Sequence, residues 1–264
     1  MTVDLHGARV LLTGATGGLG HAIARALHAK GANLMLTGRR ADVLEPLAKE
    51  LGARSFAADL SSMASLGAVL QEAGDIDILI ANAALPGTGR LEDFTVEQID
   101  TNLAVNLRAP IVMTKAVLPQ MLERGTGHIV YIGSVSSITA SPGSAMYNAT
   151  KFGLRGFSNA LRQDLHGTGV GVSIVMPGFV REAGMAVEGG LVDALPMGVR
   201  TVTPKQVAKG VLKAIRRNKG QVVVAPGEMR LAATLGSVAP ELSAVVQRVG
   251  GAAELTSGHK GPRT

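Results

Sequence analysis

Six short apolar runs alternate along this chain with longer amphipathic stretches. The runs are residues 8–13 (ARVLLT), 32–37 (ANLMLT), 76–81 (IDILIA), 128–133 (HIVYIG), 170–176 (VGVSIVM) and a weaker 221–225 (QVVVA). Each has the length and composition of a buried strand. Between them lie helical patterns near 18–30, 41–51, 62–73, 96–123, 146–166 and 204–218. Strand and helix in alternation predict an α/β fold: a doubly wound parallel sheet with right-handed crossovers that put helices on both faces. The 264 residues suit one such domain, and 46% hydrophobic content supplies its core. Aromatics are only 3%, with no Trp, so that core must be aliphatic.

Composition excludes several chemistries. Cysteine is absent, which removes disulfides, thiolate metal sites, iron–sulfur clusters and thiol nucleophiles together. The six His residues are scattered without zinc-ligand spacing, so no metal site is expected. The start, MTVDLHGARV, lacks a basic-then-apolar signal pattern. No apolar run approaches the ~18 residues of a spanning helix, and a cytoplasmic protein is expected. The net charge of +6 is uneven: residues 200–264 carry 11 Lys/Arg against 3 Asp/Glu, while residues 1–199 carry 15 against 17. That excess suits a solvated surface better than an acidic carrier or a membrane surface. Nucleic acid is not an expected partner.

The first run passes directly into Thr13-Gly14-Ala15-Thr16-Gly17-Gly18-Leu19-Gly20 and then a helical pattern. Small residues are needed at such a turn. Gly14 permits the sharp reversal, Gly18 lets the backbone approach a pyrophosphate, and Gly20 lets helix and strand pack closely. The helix start then offers free N–H groups to phosphate. Strand, glycine-rich turn and helix in that order mark a Rossmann-type dinucleotide site. NAD-binding sheets usually end the second strand in a carboxylate for the ribose 2′-hydroxyl. Here that place reads Thr37-Gly38-Arg39-Arg40. An arginine binds a 2′-phosphate that a carboxylate would repel. Arg39 therefore favours NADP(H), with NAD(H) the alternative.

Tyr147 and Lys151 stand four apart at the start of a helical stretch, on one face. A phenol with a pKa near about 10 is a weak acid–base catalyst at neutral pH, and a neighbouring ammonium is expected to lower that value. Ser134 follows the 128–133 run, at the C-terminal end of a strand, where such sheets bind ligands.

These marks together resemble the short-chain dehydrogenase/reductase family over about residues 7–226. They are TGATGGLG at 13–20, Asp59 in AADL, ANAA at 81–84, Asn106 in VNLRAP, Ser134 in IGSVSS, Tyr147 with Lys151, and Pro177-Gly178. The gap of 13 residues from Ser134 to Tyr147 is the family's usual one. The resemblance implies that Tyr147 is the general acid in reduction and the base in oxidation. It implies that Ser134 holds the substrate oxygen, that Lys151 tunes Tyr147 and binds the nicotinamide ribose, and that Asn106 places a relay water. It also implies cofactor contacts from Gly14, Thr16, Gly18, Leu19, Gly20, Arg39, Asp59, Leu60, Asn82, Ala83, Lys151, Pro177 and Gly178. Two departures stand out. Ala84 replaces a common Gly, and Glu182 falls near the place of a carboxamide-holding Thr.

Residues 1–228 are expected to form the catalytic and dinucleotide-binding domain, with 178–203 as a lid, and 229–264 a basic extension. The expected function is an NADP(H)-dependent oxidoreductase interconverting a carbonyl and an alcohol by hydride transfer. Leu85, Phe94, Met146 and the stretch Met185–Met197 suggest an apolar substrate. Two alternatives remain: a 3-oxoacyl thioester reductase of fatty-acid or polyketide type, and a non-catalytic nucleotide sensor, which would not need the Ser134, Tyr147 and Lys151 set. Val112, Ala116, Phe152 and Phe157 add apolar surface beyond one core face, and the resemblance implies a homodimer or homotetramer formed through those helices.

Overall fold

The computed structural model describes residues 3–181 and 200–239, together with Glu241. The chain runs β1 (Arg9–Thr13), α1 (Gly18–His28), β2 (Asn33–Gly38), α2 (Ala41–Glu50), β3 (Arg54–Ala57), α3 (Met63–Ala73) and β4 (Ile78–Ala81). It continues α4 (Val96–Leu103), α5 (Ala109–Glu123), β5 (Gly127–Ile132), α6 (Ala145–Asp164), β6 (Val170–Pro177), α7 (Pro204–Arg216), β7 (Gln221–Val224) and α8 (Gly227–Val238). The seven strands form one parallel sheet in the order β3-β2-β1-β4-β5-β6-β7. This is a Rossmann-like single domain.

Strand alternation divides the core between the two faces. Val10 and Leu12 of β1 join Ile23 and Leu27 of α1, Leu44 and Leu47 of α2, and Val211 and Ile215 of α7 on one side. Leu11, between them, joins Leu66 and Val69 of α3, Met113 and Val117 of α5, and Leu154 of α6 on the other. The pattern is the two-residue period of a strand buried on both faces. Strand order reverses between β1 and β4, and the crevice at their C-terminal ends is where such sheets take ligands. At the opposite edge, Arg9 pairs with Asp75 and Asp77, each at 2.9 Å, so the two acids serve as a clamp between β1 and the entry to β4.

Three expectations need correction. The strand β3 is absent from the apolar runs because Arg54-Ser55-Phe56-Ala57 lies at the sheet edge, half-exposed, and needs no apolar stretch. The helical stretch 96–123 is interrupted by a π turn over Ala104–Arg108 that carries Asn106. The expected boundary after residue 228 falls inside α8, whose Ala233 is buried in the second core cluster. Val180 and Val202 form a parallel bridge, with Val202 N–H donating to the Phe179 carbonyl at 2.8 Å. Glu182 and Met185–Met197 lie outside the described residues. Among those described, no helix is long and apolar enough to cross a membrane.

Candidate active site

The glycine-rich turn leaves β1 with Gly14 at φ +65°, in the left-handed region. A side chain there would strike the backbone of Ala83, 2.7 Å from its Cα, and one at Gly20 would run into the Gly14 carbonyl. The turn therefore packs so closely against β4 and α1 that glycine is required at both places. Thr13 and Asn82 fix it. The Thr13 hydroxyl accepts the N–H groups of Asn82 and Ala83 at 3.0 Å each, and the Asn82 amide donates to the carbonyls of Thr13 at 2.9 Å and Gly14 at 3.0 Å. Asn82 thus supports the turn from below.

Helix α1 begins after Gly17 with no side-chain cap and no acidic residue in its first turn. Its leading N–H groups, on Gly18, Leu19 and Gly20, present the positive end of the helix dipole to whatever sits above the turn. That is the cradle a pyrophosphate fits. Beside it, Arg40 donates to the Thr16 carbonyl at 2.7 Å. Arg39 is exposed and has no ion pair among the described residues. Asp59 follows β3 with one carboxylate oxygen on the Ser61 N–H at 3.0 Å, and Leu60 next to it is buried.

Ser134 follows β5. Its hydroxyl accepts the Ser136 N–H at 3.1 Å and lies close enough to the Tyr147 phenol to influence its pKa. Tyr147 lies in the first turn of α6. Lys151, one turn on and 3% exposed, has its Nζ 5.6 Å from the centre of the Tyr147 ring. Its ammonium donates to the Ile132 carbonyl at 2.9 Å. Burial pushes the Lys151 pKa down to about 8. Burial also pushes the Tyr147 phenol above its ordinary value, and the neighbouring Ser134 opposes this in part. The expected depression of Tyr147 by Lys151 is therefore not what this arrangement gives. Loss of water outweighs a cation that makes no hydrogen bond to the phenol.

Asn106 is 1% exposed and spends its side chain on the neighbouring loop. Its Oδ1 accepts the Leu85 N–H at 2.6 Å, and its Nδ2 donates to the Leu85 carbonyl at 2.9 Å. The α-helical donor to the Asn106 carbonyl would belong to Pro110, which has no N–H, and the π turn falls at that point. Pro177 ends β6, and the Gly178 N–H donates to the Val224 carbonyl at 2.9 Å. A side chain at Gly178 would meet the Met229 sulfur at 2.6 Å.

Two buried amides went unread in the sequence. Asn148 donates to the Ser136 carbonyl at 2.8 Å and the Thr139 carbonyl at 3.2 Å, stitching the Ser134 loop to the Tyr147 helix. Asn102 donates to the Pro86 carbonyl at 2.8 Å and accepts from Asn106 at 3.1 Å. The one available sign was an Asn four residues before Asn106, on the same helical face. Among the described residues no group of His, Asp and Glu is gathered as metal ligands would be.

Comparison with known proteins agrees with this geometry. The family model described as short chain dehydrogenase matches residues 8–189. Ketoacyl reductase HetN of Nostoc sp. (strain PCC 7120) is 37% identical over 229 residues, which are 83% of this chain and 79% of the relative. The NADP-dependent 3-hydroxy acid dehydrogenase YdfG of Salmonella typhi is 42% identical over 181 residues, 65% of this chain and 72% of the relative. Among solved structures, the 3-ketoacyl-(acyl-carrier-protein) reductase from Brucella melitensis complexed with NADH superposes with a TM-score of 0.78 at 27% identity, covering 85% of this chain and 99% of that one.

Proposed function

Because the chain belongs to the short-chain dehydrogenase/reductase family, a family of oxidoreductases that act on CH–OH groups with a nicotinamide dinucleotide, we propose that it reduces a carbonyl to an alcohol, and the reverse, with NADP(H) as its preferred cofactor. The reading rests on one juxtaposition: Ser134 lies close enough to Tyr147 to lower the pKa of its phenol, and Lys151 stands 5.6 Å from the Tyr147 ring. The dinucleotide, when bound, supplies or accepts the hydride. The glycine turn at Gly14, Thr16, Gly18, Leu19 and Gly20 would hold its pyrophosphate, Arg39 the 2′-phosphate, and Asp59, Leu60, Asn82 and Ala83 the adenosine side. Pro177, Gly178 and Lys151 would hold the nicotinamide side.

In reduction, Tyr147 gives its phenolic proton to the substrate oxygen while Ser134 donates a hydrogen bond to the charge gathering there. Lys151 then stabilises the phenolate. A water on the Asn106 main chain returns a proton through Lys151. NADP(H) over NAD(H) is supported by Arg39, which has no ion pair among the described residues, and by the relative named NADP-dependent, set against a structural neighbour complexed with NADH. A homodimer or homotetramer in the cytoplasm, with residues 178–203 as a lid and the catalytic unit running through α8, completes the proposal.

A second reading, a 3-oxoacyl thioester reductase, is favoured by the names of two of the relatives. A panel of ketones and 3-oxoacyl thioesters, followed by NADPH absorbance with NADH in parallel, separates the two. Turnover of thioesters alone selects the second reading. Turnover of none overturns both.

A further inference from the structure

Helix α6 starts without help from its own N-cap, because the Ser144 side chain makes no capping hydrogen bond. A helix start leaves its first N–H groups needing outside partners. For Tyr147 that partner is the Gly87 carbonyl, 3.1 Å away. Gly87 belongs to a strap, Leu85-Pro86-Gly87, that leaves the end of β4 and crosses beneath the start of α6. The fit is close. A Cβ on Gly87 would lie 2.8 Å from the Tyr147 nitrogen and 3.2 Å from the Asn102 amide nitrogen, so this residue sits between Tyr147 and Asn102 with no room for a side chain.

Two asparagines, one helical turn apart, pin the strap. Asn106 takes both polar groups of Leu85. Asn102, 3% exposed, donates to the Pro86 carbonyl at 2.8 Å and braces Asn106 through its Oδ1 at 3.1 Å. Pro86 has no N–H, so its carbonyl is the one main-chain group by which this residue can be held.

We propose that Asn102 is a positioning residue for Tyr147, holding the strap whose Gly87 carbonyl fixes the start of α6. The proposal rests on Tyr147 being the proton donor. Without Asn102, the Pro86 carbonyl loses its donor, and the exposed Pro86 can turn its carbonyl to water instead, a movement of the strap at the expense of the Gly87–Tyr147 bond. A misplacement of about 1 Å at reacting atoms can cost about 10²-fold in rate. Among the described residues Leu85, Pro86 and Gly87 make no hydrogen bond to the glycine turn, which is held by Asn82 and Ala83 instead, so cofactor affinity should not change.

The test compares Asn102→Leu, similar in size and without polar groups, with wild type and with Asn102→Gln, which restores an amide. The readouts are kcat, NADPH Kd and peptide-resolved amide exchange at the start of α6. Expected for Asn102→Leu are a kcat lower by about tenfold or more, a Kd within about twofold, and exchange of the Tyr147 amide faster by about tenfold. Asn102→Gln should recover part of both kcat and protection. Wild-type exchange, or faster exchange with wild-type kcat, overturns the proposal. If Asn102→Leu does not fold, Asn102→Ser is read by the same criteria. Should the wild-type chain reduce no carbonyl, the functional reading fails, and the exchange comparison alone judges whether Asn102 holds the strap: unchanged exchange overturns that too.

Discussion

Lys151 lies beside the Tyr147 ring, its Nζ 5.6 Å from the ring centre, yet its ammonium is hydrogen-bonded to the Ile132 carbonyl at 2.9 Å. Its influence on the phenol therefore acts through space. Both groups are pushed toward their neutral forms by burial, Lys151 down to about 8 and Tyr147 upward. A phenol kept protonated at neutral pH is ready to act as an acid, and the lysine's charge becomes the titrating partner.

That arrangement sets the pH dependence. Lys151 is a cation below about pH 8 and neutral above it. The value of kcat/KM for carbonyl reduction should be level through neutral pH and fall as pH rises through about 8, because the charge that stabilises the phenolate is lost. The oxidation direction needs Tyr147 as a base and should gain with rising pH over the same range. Lys151→Met should lose turnover and also weaken cofactor binding. A reduction profile level to pH ~10, close to an ordinary lysine pKa, would show that Lys151 plays no charged part.

Cofactor choice follows from Arg39. A charge-assisted hydrogen bond contributes roughly 1.5–3 kcal/mol, so Arg39→Ala should weaken NADPH binding about tenfold or more and leave NADH within about twofold. Adding a carboxylate at Gly38 is a poor companion change. A Cβ there would lie 2.7 Å from the Thr16 methyl group, which disturbs the turn itself. Wild-type titrations that favour NADH would contradict the assignment.

Gly14→Ala tests the cradle. The left-handed φ of +65° costs a non-glycine residue roughly 1–2 kcal/mol, and the methyl group meets the Ala83 backbone. The expected outcome is a lower melting temperature together with loss of cofactor affinity of about tenfold or more. Wild-type affinity for dinucleotide would place the pyrophosphate elsewhere.

Much of this was legible in the sequence, and for physical reasons. Buried parallel strands such as β5 and β6 must be apolar on both faces, so their runs stand out. The glycines at 14 and 20 answer to close backbone approaches that no other residue allows. What stayed hidden depends on tertiary placement. The edge strand β3 lacks an apolar run because it is half-exposed. Apart from the four-residue spacing of Asn102 and Asn106, nothing in the sequence announces the loop carbonyls, 9 to 16 residues away, that Asn102 and Asn148 hold. The raised Tyr147 pKa was missed because the spacing of Tyr147 and Lys151 gives their proximity but not the burial that outweighs it.

Oligomer formation is tested at Phe152, 41% exposed on α6, with Ala116 of α5 also exposed. Val112 and Phe157, by contrast, pack against the core. Phe152→Asp should shift light scattering from a dimer or tetramer toward monomer, since a carboxylate at a twofold contact meets its own copy. A monomeric wild type would contradict the assembly.

The central claim is that Tyr147 donates the proton, and Tyr147→Phe tests it most directly. The substitution keeps the ring and removes the hydroxyl, leaving the glycine turn, Arg39 and Lys151 in place. Single-turnover reduction of a confirmed carbonyl substrate should slow by about 10²–10⁴-fold, with NADPH affinity within about twofold of wild type. Near-wild-type turnover by Tyr147→Phe would contradict the mechanism.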